Sequence, residues 1–302
     1  MDMDIDMGTS VITKLKNKSK ETGKPLQLYL QLFCQEEFLR KVALSKYVDN
    51  LVLKGGLFIY ALTNFESRST IDVDFLLQQF PNSVKSVRGI VEEILSINTG
   101  NDFIIFESKE FVTISPQRKY TGVGVQIVGR IKNTKTPFNV DFGVDDIIVP
   151  KAKKRTIPTQ LDKFDAPEIS TYSLESTVSE KFDAILQRLE LTSRMKDYYD
   201  IFYIAHTFEF DGRILQEAIL ETLKKRGTDY SRESFNNIMA FSNDEAMQTK
   251  WRQFLKKLKV NEPEFKEALQ TMNYFLGEIW LAIINETEFF GQWHPQLQVY
   301  SK

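Results

Sequence analysis

The 302-residue sequence has one cysteine, Cys34, and two histidines, His206 and His294. A single thiol closes no intramolecular disulfide and builds no cysteine-based zinc site. Two histidines far apart in the chain argue against a zinc enzyme or a histidine-dependent hydrolase. No run of about 18 apolar residues occurs, and the longest candidate, 274–284, is broken by Glu278. The opening MDMDIDMG is acidic and lacks an apolar core, so it does not read as a secretory signal. The expectation is a soluble, cytoplasmic protein with no membrane partner. An excess of either charge is also missing: 39 Lys+Arg against 41 Asp+Glu leave a formal charge of −2. Any nucleic-acid contact must therefore be a local patch, not a global basic field. Internal repeats and low-complexity segments are absent as well.

What is present is enough to build a core. The chain is 42% hydrophobic and 26% charged, with 23 phenylalanines, a globular composition of one large domain or two ordinary ones. The densest signal lies in residues 51–77, LVLKGGLFIYALTNFESRSTIDVDFLL. Asp72 and Asp74 stand two apart in an apolar strand-like run, and side chains two apart on a strand share a face. Two carboxylates on one face of an apolar strand are costly unless a cation neutralises them. A hard divalent cation with oxygen ligands, Mg2+ above all, is the best candidate. Asp141, within FNVDFG, is a third acid in an apolar strand. Three such carboxylates match the ligand set of a two-metal phosphoryl-transfer centre. The structural alternative is a strand edge with solvated acids. Upstream, Gly55-Gly56 opens a helix expected over 57–64, where backbone N–H groups and the helix dipole favour a phosphate. Glycine pairs are common in turns, so this signal alone is weak.

The remaining pattern is mixed, then helical. A loose tail over 1–9 precedes helices at 10–22 and 26–46, the second packing on the core with Cys34 as a small apolar filler. A helix is expected over 83–97, then strand-like runs at 103–106, 111–115, 120–131 and after Pro137 to Gly143. Residues 150–158, with Lys151, Lys153, Lys154 and Arg155, read as a solvated linker and domain boundary, or alternatively as a nucleic-acid or triphosphate contact. From Ser173 on, Leu174, Val178, Phe182, Ile185 and Leu189 make one helical face that also carries Lys181, which must snorkel or find an anion. A helix over 193–206 has a polar stripe of Lys196, Asp197 and Asp200, and a simple Lys196–Asp200 ion pair explains it as well as catalysis does. Helices are expected over 214–225, 231–241, 244–258 and 263–284. Lys224, Lys225 and Arg226, and later Lys250, Arg252, Lys256, Lys257 and Lys259, read as solvated surface, and Trp280 and Trp293 as core or cap residues.

Taken together, Lys54-Gly55-Gly56, Arg68-Ser69-Thr70-x-Asp72-x-Asp74, Val140-Asp141, Glu180-Lys181 and Lys196-Asp197-x-x-Asp200 resemble the AbiEii/AbiGii-type nucleotidyltransferase toxins. These are the toxin halves of abortive-infection toxin–antitoxin pairs. The Asp-x-Asp part is shared with many polymerase-β-like transferases, and its combination with the later lysine and Lys-Asp-x-x-Asp helices is more specific. The resemblance implies an α+β fold: a nucleotidyltransferase-like mixed-sheet core with flanking helices over 1–160, then a helical domain over 161–302. It implies a nucleoside triphosphate substrate, Mg2+ (or Mn2+) as cofactor, transfer of a nucleotide to RNA at the tRNA acceptor end, growth inhibition, and a cognate antitoxin.

By position, the resemblance makes Asp72, Asp74 and Asp141 the metal ligands, with Asp141 as ligand or as base on the attacking hydroxyl. It makes Lys54, Gly55, Gly56, Arg68, Ser69 and Thr70 nucleotide-binding, Lys181 a binder of triphosphate charge, and Asp200 the residue that orients Lys181 or the substrate. Many transferases of this fold have Gly-Ser where this chain has Gly55-Gly56, so the backbone alone must supply that phosphate contact. Two other readings stand beside it: transfer to a protein or a small hydroxyl compound, and a nucleotide-binding module without turnover.

Overall fold

The computed structural model describes residues 6–114, 121–188 and 194–301; the expectations placed on Ser115, Tyr120, Leu189 and Ser193 lie outside the described residues. Two compact units emerge. The first holds residues 1–145 and 153–172, the second 146–152 and 173–302, so the chain crosses between them after 145, 152 and 172.

The first unit begins with helix α1, Met7–Thr22. It starts three residues before the expected position, because the Asp6 side chain accepts the Gly8 and Thr9 N–H groups at 3.1 and 3.5 Å and caps it. Gly23, in the left-handed region, ends it. Helix α2, Leu26–Leu44, is buried over nearly its whole circumference. Its Phe38 packs edge-on to Phe75 and Phe138 of the sheet. Cys34 is fully buried, and burial pushes its thiol up to about 12, as befits an inert filler. The same helix buries Glu36, Glu37 and Arg40. Arg40 Nη1 donates to Glu37 Oε2 at 2.9 Å, while both Glu36 oxygens accept the Gln160 N–H at 2.9 and 3.0 Å.

Strand β1, Leu51–Lys54, runs straight into helix α3, Gly55–Leu62, and a loop returns the chain to strand β2, Asp72–Leu77. Helix α4, Val84–Ser96, is capped by Ser83. Strand β3, Ile104–Ile114, joins two runs that the sequence pattern separates; a register shift between Ser108 and Phe111 breaks the alternation. Strands β4, Gly122–Ile131, and β5, Thr134–Gly143, form a hairpin. Pro137 lies inside β5, although proline was expected to precede the strand. It pairs only with Val128 of β4, because the pairing of β5 with β2 begins at Asn139, so no ladder bond to a second neighbour is lost. Strand β6, Lys153–Thr156, corrects the linker reading of 150–158: it is an edge strand paired with β7, Glu168–Thr171. The sheet order is β3-β4-β5-β2-β1-β7-β6. The β2/β5 and β1/β7 pairs are parallel and the others antiparallel.

The second unit is mainly helical: α5, Leu174–Arg188; α6, Met195–Thr207; α7, Gly212–Arg226; α8, Arg232–Ala240; α9, Glu245–Leu258; and α10, Phe265–Ile284. A small antiparallel sheet, unexpected from the sequence, joins β8, Phe210–Asp211, β9, Gln292–His294, and β10, Val299–Ser301. Trp280 and Trp293 are core residues, as expected; Trp293 Nε1 donates to the Ala205 carbonyl at 2.7 Å. No described helix is long and apolar enough to cross a membrane.

Candidate active site

The pairing of four strands aligns the acidic residues. Register places Asp74 of β2 opposite Asp141 of β5, Asp141 opposite Gly124 of β4, and Asp74 opposite Lys54 of β1. Register partners share a face of the sheet, on strands about 4.8 Å apart. Gly124, Asp141, Asp74 and Lys54 therefore form one row across the sheet. Asp72 lies on the same face one pair further along, opposite Asn139, whose Nδ2 donates to Asp72 Oδ1 at 3.4 Å. Both Asp72 and Asp74 are half-buried, while Val73 between them is fully buried on the other face. This is the alternation the sequence pattern requires.

Glycines let the side chains of the row pack closely. Gly55, the first residue of α3, has φ +72, and a Cβ there would overlap Asp74 Oδ2 and stand 2.8 Å from Asp74 Cγ. The Asp74 carboxylate thus rests against the start of α3, where the helix dipole is positive. A Cβ at Gly124 would stand 3.0 Å from Asp141 Oδ1. At Gly56 a Cβ would come within 3.0 Å of Thr70 Oγ1 and 3.5 Å of Arg68 Nη2. The loop between α3 and β2 therefore folds Arg68 and Thr70 back over the helix start, together with the glycine pair. Ser69 is exposed on that loop.

The donor chemistry fits a hard divalent cation. Asp74 and Asp141 offer carboxylate oxygens from adjacent strands, and each carboxylate packs against a glycine, Gly55 or Gly124, where any other side chain would crowd it. Among the described residues no group of three or more His, Cys, Asp or Glu side chains is gathered to hold a metal by itself. Mg2+ does not require such a cage, since it is commonly held by one or two carboxylates, with phosphate oxygens and water completing the shell.

Lys181 and Asp200 belong to the second unit. Lys181 is buried on α5, where its Nζ meets Asp200 Oδ2 and lies 3.4 Å from Asp197 Oδ1. Arg194 Nε reaches Asp197 Oδ2 at 3.2 Å. Lys181 has found an anion instead of snorkelling. Asp197 and Asp200, part of the polar stripe expected on this helix, are buried.

Sequence reasoning missed several residues. Tyr172 follows β7, and the Lys54 ammonium lies 5.2 Å from its ring centroid. Arg226 was read as solvated, but its guanidinium is buried among Asp146, Glu180 and Asp183 at 2.8, 3.2 and 3.0 Å. Burial works against its charge, yet Glu180, Asp146 and Asp183 outweigh that and hold it above the usual arginine range. For Gly124, which lies against Asp141, the available signal was Gly122-x-Gly124 inside an alternating strand, where glycine often marks a close approach.

The mixed sheet thus carries aligned strand carboxylates beside a glycine-opened helix. The family model described as nucleotidyl transferase AbiEii toxin, type IV toxin–antitoxin system, matches residues 37–271. The chain belongs to that family of nucleotidyltransferase toxins, for which an antitoxin partner and a nucleoside triphosphate substrate follow. Among solved structures it is similar in fold to MenT4, the nucleotidyltransferase toxin Rv2826c from Mycobacterium tuberculosis H37Rv. The TM-score is 0.53 at 16% identity, over 92% of this chain and 98% of that one. A second match is JHP933 from Helicobacter pylori, with TM-score 0.46 at 13% identity, over 84% of this chain and 92% of that one. No curated protein matches the chain in sequence.

Proposed function

We propose that the protein transfers a nucleotidyl group from a nucleoside triphosphate to RNA, at the tRNA acceptor end, with Mg2+ or Mn2+ held by Asp74 and Asp141 and assisted by Asp72. The observation that carries the reading is the Asp74–Asp141 register pair, whose carboxylates pack against Gly55 and Gly124. The acceptor oxygen bonds to the α-phosphorus, the bond from that phosphorus to the bridging oxygen breaks, and pyrophosphate leaves. The hydroxyl proton passes to a carboxylate of the row, which Asp141 supplies. The metal, when bound, neutralises charge on the phosphates. The N–H groups at the start of α3, with Lys54, Arg68, Ser69 and Thr70, bind and orient the triphosphate, since positioning and charge neutralisation dominate such transfers. Within the second unit, Asp200 fixes the orientation of Lys181. Acting in the cytoplasm, the protein blocks growth until its antitoxin restrains it.

The test is incubation of the full chain with each α-labelled nucleoside triphosphate, Mg2+ and total tRNA. Label on RNA is expected. Label only on the protein or on small hydroxyl compounds moves the acceptor to those classes, and no label anywhere overturns transfer.

A further inference from the structure

Lys54 occupies a defined place in the row of strand residues. On one side its register partner is Asp74, and directly paired residues have Cβ atoms about 5 Å apart. On the other side, β1 runs parallel to β7 with Leu53 opposite Thr171, so the next residue, Tyr172, falls beside Lys54. The ammonium lies over the Tyr172 ring at 5.2 Å from its centroid. Tyr172 is fully buried, and its backbone is tied down: its N–H donates to the Leu53 carbonyl at 2.9 Å, and its carbonyl accepts from Arg155 Nη1 at 3.1 Å. The ring is thus a fixed platform, and the cation it receives belongs to the strand next to that of Asp74, with Asp141 one strand further.

We infer that Lys54, seated on the Tyr172 ring, is the built-in counter-charge of the Asp74–Asp141 pair, and that it makes the site select a divalent cation carrying a triphosphate over the bare cation. The inference rests on the metal and triphosphate reading above. Its physics is one of opposite signs. A bare divalent cation at the carboxylates is repelled by the ammonium of the neighbouring strand. A cation that arrives with several phosphate charges brings Lys54 an anion, and the same ammonium becomes an attraction. Lys54 is a positioning residue in this account, since it acts on the charge balance of the site and takes no proton.

The test uses the full chain, calorimetric titration, and two probes that need no knowledge of the base: MnCl2 alone, and Mn2+ with inorganic tripolyphosphate. Lys54→Gln is expected to bind Mn2+ alone on the order of tenfold more tightly and Mn2+-tripolyphosphate on the order of tenfold more weakly, the scale of one charge acting on a divalent ion near a protein surface. Lys54→Arg restores both values, and Tyr172→Phe, which keeps the ring, matches wild type. Thermal unfolding confirms that each variant is folded. A merely structural lysine would move neither affinity, or both in the same direction, and either result overturns the inference. Failure of the underlying reading looks different. In that case Mn2+ binds neither wild type nor Lys54→Gln, or binds equally well when Asp74→Asn is added, and the inference falls with it.

Discussion

Gly55→Ala adds one methyl group where strand β1, helix α3 and the Asp74 carboxylate meet. Two costs arise, and they can be separated. The backbone at Gly55 has φ +72, a left-handed conformation that costs an L-residue about 1–2 kcal/mol. The methyl would also overlap Asp74 Oδ2 and stand 2.8 Å from Cγ and 3.0 Å from Cβ of the same side chain. Relief requires the carboxylate to move by about 1 Å, and a misplacement of that size at a reacting centre costs on the order of a hundredfold in rate. Gly100 is the matched control: its φ is +80 and a Cβ there meets nothing within 4 Å, so Gly100→Ala carries the backbone strain alone. Urea unfolding and label transfer from an α-labelled nucleoside triphosphate read the two effects. Gly100→Ala should lose the stability that the backbone strain costs and Gly55→Ala more, and only Gly55→Ala should lose transfer, by about a hundredfold. Wild-type transfer by a folded Gly55→Ala would refute the placement of Asp74 at the reacting centre.

Two further expectations concern stability. Lys181→Met takes the buried cation from Asp200 and leaves Asp197 with Arg194, and removing one partner of a buried ion pair costs about 3–5 kcal/mol; a urea-unfolding loss under about 1 kcal/mol would show the network to be incidental. For pH dependence, burial raises the Glu36 carboxyl from its ordinary 4.5 to about 8. The folded state then holds this proton more tightly than the unfolded chain does. The associated stability is fully present below 4.5 and is lost as pH rises towards about 8, at about 1.4 kcal/mol per pH unit. Urea midpoints measured from pH 5 to 8 should fall with pH in wild type and flatten in Glu36→Gln; equal slopes would contradict the assignment.

The part of the site legible in the sequence is the part built from local periodicity. Asp72 and Asp74 share a face because strand side chains alternate, and Gly55-Gly56 sits where an apolar run gives way to a helix. The pairing of Asp74 with Asp141 spans many residues and depends on the parallel register of β2 and β5, which spacing along the chain does not encode. Tyr172 was invisible for the same reason: it is beside Lys54 only because β7 lies next to β1. Arg226 sits in a Lys-Lys-Arg run that looks solvated, and only the folding of Asp146, Glu180 and Asp183 around it reveals burial. The edge strand β6 was hidden by its own lysines, which also blunt the sheet edge. The strands of the small sheet, two or three residues long, are too short to show a period.

The central claim is that Asp74 and Asp141 form one transfer site. The direct measurement is single-turnover transfer from an α-labelled nucleoside triphosphate by wild type, Asp74→Asn and Asp141→Asn, with folding of each checked by thermal unfolding. Both variants should stay folded and lose transfer by at least about a thousandfold, since each removes a charge from the position where the phosphates are neutralised. Transfer retained by either folded variant would contradict the account.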